Sequence, residues 1–251
     1  MGQALPPNGQ FNTNAIIDFV TRTMASSDAD EIMAYLREVS VGFGMDSFAI
    51  AGIPLPNEKI DPYVLLNDWP MDWFNHYAEQ DYVHIDPVIF RTKTSNDGFV
   101  WSEALKNVRL SPAARTVMNE ATEVDMRDGF SVPIQGINGL QAIVTFGAHK
   151  VELTREARST LELIAVFAHH RLRMLREEER NMQYRKELRI TKRELDLIQW
   201  CAAGKTNWEI GEILGLSHKT VQNELGKIQR KLNAVNRTQL IAESFRAGII
   251  R

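Results

Sequence analysis

Residues 68–87 (DWPMDWFNHYAEQDYVHIDP) combine large aromatic rings with a few polar groups that could hold a small molecule. Trp73 and Tyr77 lie four residues apart, which places them on one face of a helix, and Trp69 lies four residues earlier, at or just outside the helix start. Each ring carries one hydrogen-bond donor, and Asp86 supplies an acceptor nearby. An apolar wall with a few directional polar groups is typical of a pocket for a small organic ligand.

Two other interpretations of this segment stay open. The rings could form an ordinary aromatic core stripe, followed by a helix-breaking turn at Asp86 and Pro87. His84 and Asp86 could also hydrolyse a lactone or an amide, but no nucleophile with an adjacent base accompanies them. The same two side chains do not predict a metal site, because a third ligand is missing.

A second group of polar residues lies near the C-terminus, in the segment HKTVQNELGKIQRKL. Its apolar residues, from Val221 to Leu232, recur at steps of four, three and four, which predicts a helix with one buried stripe. We predict that Gln222 and Asn223 read adenine, because their amides match its N6 and N7 atoms. With Lys205, these are the DNA contacts that the sequence predicts: Lys205, His218, Lys219, Gln222, Asn223, Lys227 and Arg230. The four Lys and Arg residues of this set are assigned to phosphates.

Helix caps and glycines divide the same region into four short helices. Thr191 with Glu194 and Thr206 with Glu209 form Thr-x-x-Glu capping boxes. Ser217 and Asn236 are further N-caps, and Gly204, Gly215 and Gly248 are placed to end helices. Two short helices joined by a tight turn, the second one basic, predict a helix-turn-helix whose second helix enters the major groove. The alternative is a small bundle with a solvated charged face.

The charge distribution indicates two domains with different partners. From residue 189 to residue 251 there are eleven Lys or Arg and six Asp or Glu, whereas residues 1–188 carry 18 basic and 26 acidic residues. A basic segment behind an acidic one predicts a polyanion-binding module joined to a domain with another role. We therefore predict a ligand domain at 1–175, a charged linker at 176–188 and a DNA-binding domain at 189–251.

The rest of the chain is typical of a cytoplasmic protein. No apolar run is long enough for a membrane span, and the first ten residues lack the features of a signal peptide. The single cysteine, Cys201, lies in an apolar helical pattern and is predicted to be buried.

The N-terminal part alternates between helical and extended patterns. Helices are predicted at 16–24, 31–41, 112–124 and 156–176, and strands at 47–53, 63–66, 130–134 and 142–146. The long helix at 156–176 is predicted to point Ala157, Leu161, Ile164, Ala168, Leu172 and Leu175 inward. This mixture predicts an α/β fold, an α-β-α sandwich with a central antiparallel sheet, followed by the all-α helix-turn-helix domain.

Two independent sets of motifs resemble one family. The segment from Ile190 to Ile250 resembles the DNA-binding domain of LuxR-type regulators, with the family's residues at Glu194, Gly204, Lys205, Ile210, Leu214, Ser217, Thr220, Val221, Lys231, Leu232 and Arg237. The pattern Trp73-x-x-x-Tyr77, then Asp86-Pro87, Trp101 and Gly129 resembles the acyl-homoserine-lactone-binding domain of LuxR-type quorum-sensing receptors.

The resemblance implies specific roles in the pocket. Trp73 would donate to the lactone carbonyl, and Asp86 would accept from the amide N–H. Tyr77 would lie along the acyl chain and Trp101 along the lactone. Thr145 falls at the position where many family members have a Ser or Thr that bonds the amide carbonyl.

Departures from the family pattern affect the ligand and the operator. Trp69 stands where the common pattern has Tyr, and WPMDWF resembles rhizobial and photosynthetic-bacterial members that read aryl- or branched-acyl homoserine lactones. We therefore expect a short or flat acyl group. Gln222 and Gly226 stand where some relatives use base-reading Arg, so the operator cannot be transferred from them. Gly226 is also unusual inside a helix, unless its backbone approaches DNA or another helix.

The resemblance implies a ligand-responsive transcription regulator that binds a dyad operator as a homodimer. Its partners would be double-stranded DNA, an N-acyl homoserine lactone, a second copy of the chain and RNA polymerase, with no membrane, cofactor or metal. The alternatives are a ligand-independent regulator of the same type and a sensor of a non-lactone signal.

Overall fold

The computed structural model of this chain describes residues 13–136, 139–188 and 190–250, and the side chains at 13–15, 181 and 183–188 are not described. Residues 1–12, 189 and 251 lie outside the described residues. The prediction that residues 1–12 contain no signal peptide and the predicted domain boundary at 189 therefore fall outside them. The chain divides into two compact units, Met1–Leu175 and Arg176–Arg251. No helix within the described ranges is long and apolar enough to cross a membrane.

The first unit is built on one antiparallel sheet. Its five strands lie in the order β2-β1-β5-β4-β3. Their bounds are β1 Ser47–Gly52, β2 Val64–Asn67, β3 Phe99–Val100, β4 Asp128–Gly136 and β5 Gly139–Ala148. The four predicted strands are confirmed. The edge strand β3 was not predicted, because a strand of two residues has no periodic pattern to detect.

Helices cover both faces of this sheet. The N-terminal helices α1 (Thr13–Ala25) and α2 (Ala29–Gly42) pack on one face. The other face is covered by α3 (Met71–Glu79), α4 (Pro87–Thr92), α5 (Trp101–Leu105) and α6 (Pro112–Glu123). The long helix α7 (Arg155–Leu188) packs on the first face through its residues up to Leu175. The predicted linker, 176–188, lies within α7.

Side chains alternate between the two faces of the sheet, as the two-residue period of a strand requires. On β1, Phe48 and Ile50 enter the larger hydrophobic core with α1, α2 and α7. The intervening Ala49 and Ala51, with Thr145 on β5, face the layer of α3 to α6. Because these residues are small, they leave free space between the sheet and that layer.

The predicted inward face of α7 is confirmed. Its six residues are all buried against the sheet: Ala157, Leu161, Ile164, Ala168, Leu172 and Leu175.

Beyond the end of α7, the described residues of the second unit form four short helices, as predicted. They are α8 (Lys192–Ala202), α9 (Asn207–Leu214), α10 (His218–Lys231) and α11 (Arg237–Arg246). Both capping boxes form, with Thr191 and Thr206 as N-caps. Ser217 and Asn236 cap α10 and α11. Gly204, Gly215 and Gly248 adopt φ values of 80°, 65° and 59° after α8, α9 and α11, a left-handed conformation that glycine adopts without strain.

The core of the second unit differs in detail from the sequence pattern. The helical pattern of the sequence predicts an inward face of α8 at Leu195, Ile198 and Ala202. It predicts another for α11 at Leu240, Ile241 and Phe245, but Ala202 and Phe245 are exposed. On α8 the buried positions are instead Leu197, Ile198 and Cys201. The helix is rotated by about one residue relative to the prediction, because its packing against α10 and α11 sets the buried face. The predicted burial of Cys201 is confirmed, and burial raises the pKa of its thiol.

Candidate functional site

A cavity lies in the first unit between the sheet and the layer of α3 to α6. The free space inside it is about 50 Å³, which is room for only a few water molecules. All six residues predicted to bind a ligand line this cavity: Trp69, Trp73, Tyr77, Asp86, Trp101 and Thr145. The remaining lining is apolar: Ala49, Ala51, Ile60, Val64, Phe74, Val88, Ile89, Val117, Met118, Ala121, Met126 and Ile143.

Helix α3 positions the aromatic wall. Pro70 is its N-cap, so Trp69 lies just before the helix, while Trp73 and Tyr77 lie one turn apart inside it. The ring of Tyr77 meets both indoles edge to face, with centroid distances of 5.4 Å to Trp69 and 6.0 Å to Trp73. Such aromatic pairs stabilise beyond the area that they bury. The three rings therefore hold one another in place.

Two indole donors in this wall have no hydrogen-bond partner. The Nε1 atoms of Trp69 and Trp73 are buried, and neither has an acceptor within the described residues. A buried donor without a partner costs about 1–3 kcal/mol. A ligand with two acceptor atoms would satisfy both.

Asp86 is held in the cavity wall from two sides. It is the N-cap of α4, where Oδ1 accepts a hydrogen bond of 2.7 Å from the Val88 backbone N–H. Oδ2 accepts a bond of 2.8 Å from the phenol of Tyr77. Burial raises the pKa of Asp86 above its usual 3.8, although the bonds from Tyr77 and from the backbone of Val88 and Ile89 oppose the shift.

The segment at Asp86 and Pro87 does not form a helix-breaking turn. Helix α4 begins at Pro87, and a proline at the first helical position is favoured because its missing N–H would have no partner there. The helix-breaking turn of the alternative interpretation is therefore wrong, whereas its aromatic core stripe is present, since Trp73 and Tyr77 belong to a buried hydrophobic cluster.

The sheet side of the cavity carries a chain of hydrogen bonds that the sequence did not predict. The indole N–H of Trp101 donates to Ser131 Oγ over 2.8 Å. The same oxygen lies 2.8 Å from Thr145 Oγ1. Ser131 was missed because it belongs to no motif, although its position opposite Thr145 on the adjacent strand is a signal that strand register could have revealed.

Gly129 makes room for Trp101. A Cβ atom added at this position would lie 2.5 Å from the Trp101 ring, which is closer than real Cβ contacts. The ring can therefore lie against β4 only because residue 129 has no side chain.

A polar cluster joins α3 to α6 beside the cavity. Tyr82 donates to Glu120 Oε2 over 2.7 Å, and His76 Nε2 lies 2.9 Å from the same oxygen. The bond from Tyr82, followed by the contact with His76, lowers the pKa of Glu120. Burial and this bond raise the pKa of Tyr82 to about 12.

The polar groups that line the cavity come from Trp, Tyr, Asp and Thr side chains. Among the described residues that line it there is no Ser, Cys, His or Lys. His84, which could have acted with Asp86 in hydrolysis, has its Nε2 atom 2.9 Å from the backbone oxygen of Glu58 and does not line the cavity.

In the second unit, α10 presents the predicted polar face to solvent. Val221, Leu225 and Ile228 are buried on one side. Six of the seven predicted DNA contacts are exposed on α10: His218, Lys219, Gln222, Asn223, Lys227 and Arg230. Lys205 precedes α9, with its Nζ atom 3.3 Å from Glu209. The guanidinium of Arg237 bonds the Lys205 backbone oxygen and the Asn207 side chain, which fixes the start of α9.

Gly226 lies on the same exposed side of α10. A Cβ atom added there would meet only Arg230 Nη1, at 3.9 Å. No other helix among the described residues approaches it. Among the described residues, close packing against another helix therefore does not explain why residue 226 is a glycine.

Each of the two units matches a known protein family. Residues 28–172 match the family model described as "Autoinducer binding domain", and residues 189–244 match "Bacterial regulatory proteins, luxR family". The chain belongs to the LuxR family of quorum-sensing transcription regulators. It combines an autoinducer-binding domain with a helix-turn-helix DNA-binding domain, and it is a ligand-responsive regulator of transcription.

Several LuxR-type relatives match nearly the whole chain. The transcriptional activator BjaR1 of Bradyrhizobium diazoefficiens is 35% identical over 93% of this chain and 95% of its own. The quorum-sensing-dependent regulator RpaR of Rhodopseudomonas palustris is 34% identical over 89% of this chain and 90% of its own. A structure of SdiA in complex with octanoyl-rac-glycerol has a TM-score of 0.53 at 19% identity, covers 97% of this chain and 99% of its own, and supports the fold.

Proposed function

We propose that this regulator senses an N-acyl homoserine lactone with an aryl or branched acyl group. The observation that carries the proposal is the pair of buried, unpartnered indole N–H groups of Trp69 and Trp73 in a cavity that also holds the Asp86 carboxylate. An acyl-homoserine lactone offers the complementary set: a lactone carbonyl, an amide carbonyl and an amide N–H.

We assign each polar group of the ligand to a residue of the cavity. Trp73 donates to the lactone carbonyl, and Asp86 accepts from the amide N–H. Thr145 and Trp69 donate to the amide carbonyl, whose oxygen has two lone pairs. The Trp101 ring lies along the lactone, and Tyr77 lies along the acyl chain while it holds Asp86. The bond to the carboxylate is charge-assisted, so an analogue without the amide N–H should bind more weakly.

The bulk of the cavity wall supports a compact acyl group. The free space is about 50 Å³, and an indole at residue 69 is larger than the phenol of the common family pattern. A long straight chain would require the wall formed by α3 and α6 to move, whereas a short branched or flat aryl group requires less displacement. We propose that the ligand is bound and released unchanged.

For the second unit we propose DNA binding as a homodimer, with α10 of each subunit in successive major grooves of a dyad operator. Gln222 and Asn223 would read bases. The remaining DNA contacts would be to phosphates and the adjacent groove wall: Lys205, His218, Lys219, Lys227 and Arg230. We retain domain bounds of 1–175 and 189–251 with the linker 176–188, and we place the protein in the cytoplasm.

Exposed apolar side chains in each unit support the proposal of two protein partners, a second copy of the chain and RNA polymerase. Leu163 and Val166 of α7 are 48% and 46% exposed, and they offer an apolar surface to a second copy of the chain. Trp208 of α9 is 64% exposed and is available to RNA polymerase.

Thermal unfolding of the full chain against a panel of homoserine lactones tests the ligand. The panel contains straight, branched and aryl acyl groups at equal concentration. A ligand at 100 times its Kd adds about 2.7 kcal/mol of stability, which is a shift of several degrees. We expect this shift for branched or aryl compounds only. A shift with long straight chains alone would refute the proposed acyl class and keep the receptor.

A protein that binds DNA but gains no stability from any lactone would support the ligand-independent alternative or a non-lactone signal. SdiA has been solved in complex with octanoyl-rac-glycerol, which is not a lactone. This acylglycerol is therefore included in the panel as a test of a non-lactone signal.

A further inference from the structure

We propose that Ser131 is a positioning residue that fixes the direction of the Thr145 hydroxyl, so that Thr145 presents a hydrogen-bond donor to the cavity. The inference deepens the proposed function and rests on it for the identity of the ligand. Ser131 lies on β4 and does not itself line the cavity.

Strand pairing places the two hydroxyls side by side. Ser131 on β4 and Thr145 on β5 are direct partners in the antiparallel register, so their side chains project from the same face of the sheet. Ser131 is 0% exposed and Thr145 is 6% exposed. Bulk water therefore does not reach Ser131, and the Thr145 hydroxyl faces only the cavity.

Trp101 sets the direction of the chain. An indole N–H can only donate, so Ser131 Oγ must accept from Trp101 over 2.8 Å. The Ser131 proton then needs an acceptor of its own. Within the described residues the only other partner of Ser131 Oγ is Thr145 Oγ1, at 2.8 Å.

The opposite direction leaves a proton without an acceptor. If Thr145 donated to Ser131, the serine oxygen would accept twice and its own proton would be buried and unpaired. The lost hydrogen bond disfavours that orientation by about tenfold or more. The order Trp101 to Ser131 to Thr145 is therefore the favoured one.

The Thr145 proton is consequently directed away from Ser131, and Thr145 lines the cavity. The cavity then presents donors at Trp69, Trp73 and Thr145 and an acceptor at Asp86. A ligand must place an acceptor, such as a carbonyl oxygen, beside Thr145. A ligand N–H at that point could use only the second lone pair of Thr145 Oγ1 and would leave the Thr145 proton unpaired, so it would bind more weakly.

A double-mutant cycle tests the coupling, with N-isovaleryl-homoserine lactone and N-cinnamoyl-homoserine lactone as probes. Ser131→Ala and Thr145→Val should each weaken binding by about tenfold. Because Ser131 acts through Thr145, the double variant should also be about tenfold weaker, whereas independent effects would multiply to about a hundredfold. Multiplying effects would overturn the proposal.

A matched control separates this role from general destabilisation. Ser47 is a buried serine of β1 whose hydroxyl has no hydrogen-bond partner within the described chain. Ser47→Ala should leave the affinity for the same lactones unchanged. An equal loss in Ser47→Ala and Ser131→Ala would overturn the proposal.

If neither lactone binds, the proposed signal is refuted, but the direction of the Ser131 hydrogen bond can still be measured without ligand. In the NMR spectrum of the full chain, the slowly exchanging proton between the two hydroxyls should correlate with Ser131 Cβ. Correlation with Thr145 Cβ would overturn the proposed direction.

Discussion

The phenol of Tyr77 donates a hydrogen bond of 2.8 Å to the carboxylate of Asp86, and so joins α3 to the N-terminus of α4. Asp86 therefore has two roles that are separable by mutation. One carboxylate oxygen caps α4 through the Val88 N–H, and the carboxylate as a whole is the only acidic group lining the cavity among the described residues.

Asp86→Asn should separate these roles. Asparagine is as good an N-cap as aspartate, so the cap of α4 is kept. The amide NH2 cannot accept from Tyr77, so the melting temperature of the ligand-free protein should fall slightly, but less than in Asp86→Ala. Affinity for the stabilising lactone should fall by about ten- to a hundredfold, because the charge-assisted bond is lost. Calorimetric titration measures the affinity. Asp86→Ala should also lose about 1 kcal/mol of stability through the missing cap. Binding by the Asn variant at wild-type affinity would show that the carboxylate does not contact the ligand.

His169 should make the stability of the protein depend on pH. It is 5% exposed, and burial, followed by the charges of Arg173 and His170, lowers its pKa from 6.5 to about 4. Between these values the unfolded chain binds a proton that the folded chain does not. Stability from this residue is therefore complete above about pH 6.5 and decreases as the pH falls towards 4.

Urea unfolding at several pH values between 8 and 4 measures this dependence. His169→Phe should flatten the slope between pH 6.5 and 4. His170→Gln, at an exposed neighbour, should keep most of the slope, because burial is the largest cause of the shift. Asp86, whose pKa is raised, has the opposite effect, because its contribution to stability decreases as the pH rises through its pKa in the folded protein. Each variant is therefore compared with the wild type, in which the effect of Asp86 is the same. An identical slope in His169→Phe and wild type would contradict the prediction.

Glu194 should matter more to the DNA-binding unit than an ordinary capping residue. It closes the capping box with Thr191, and its Oε1 atom lies 2.6 Å from Lys231 Nζ, which joins α8 to α10. Thr191→Ala should cost about 1 kcal/mol. Glu194→Ala should cost about 2 kcal/mol, because the ion pair and the cap are lost together. Chemical denaturation of the full chain, followed through Trp200 and Trp208 in this unit, measures both. Equal losses in the two variants would show that the ion pair adds nothing.

Gly226→Ala should have opposite effects on stability and on DNA binding. Alanine is favoured over glycine by about 1 kcal/mol inside a helix, and the added Cβ meets only Arg230 at 3.9 Å, so the unit should become more stable. If DNA approaches this backbone closely, affinity for a mixed-sequence duplex at low salt should fall several-fold. Lys219→Ala is the control, since loss of a phosphate contact should also reduce the salt dependence. Unchanged DNA affinity in Gly226→Ala would mean that DNA does not approach the glycine.

Local sequence determined the elements of this protein and the types of residue in its site. Capping boxes, left-handed glycines and the periods of 2 and 3.6 residues act over a few positions, so they predicted the helices of the second unit and four of five strands. The spacing of Trp69, Trp73, Tyr77 and Asp86 was sufficient to propose a pocket, and those residues do line one cavity.

Tertiary structure decided the partners of each polar group and the buried face of each short helix. Trp101 and Ser131 are 30 residues apart and meet only because α5 packs on β4, and the register of β4 with β5 then places Ser131 beside Thr145. The exposure of Ala202 likewise depends on the packing of α8. Hydrogen bonds and buried faces of this kind depend on contacts distant in sequence, and periodicity within one segment contains no information about them.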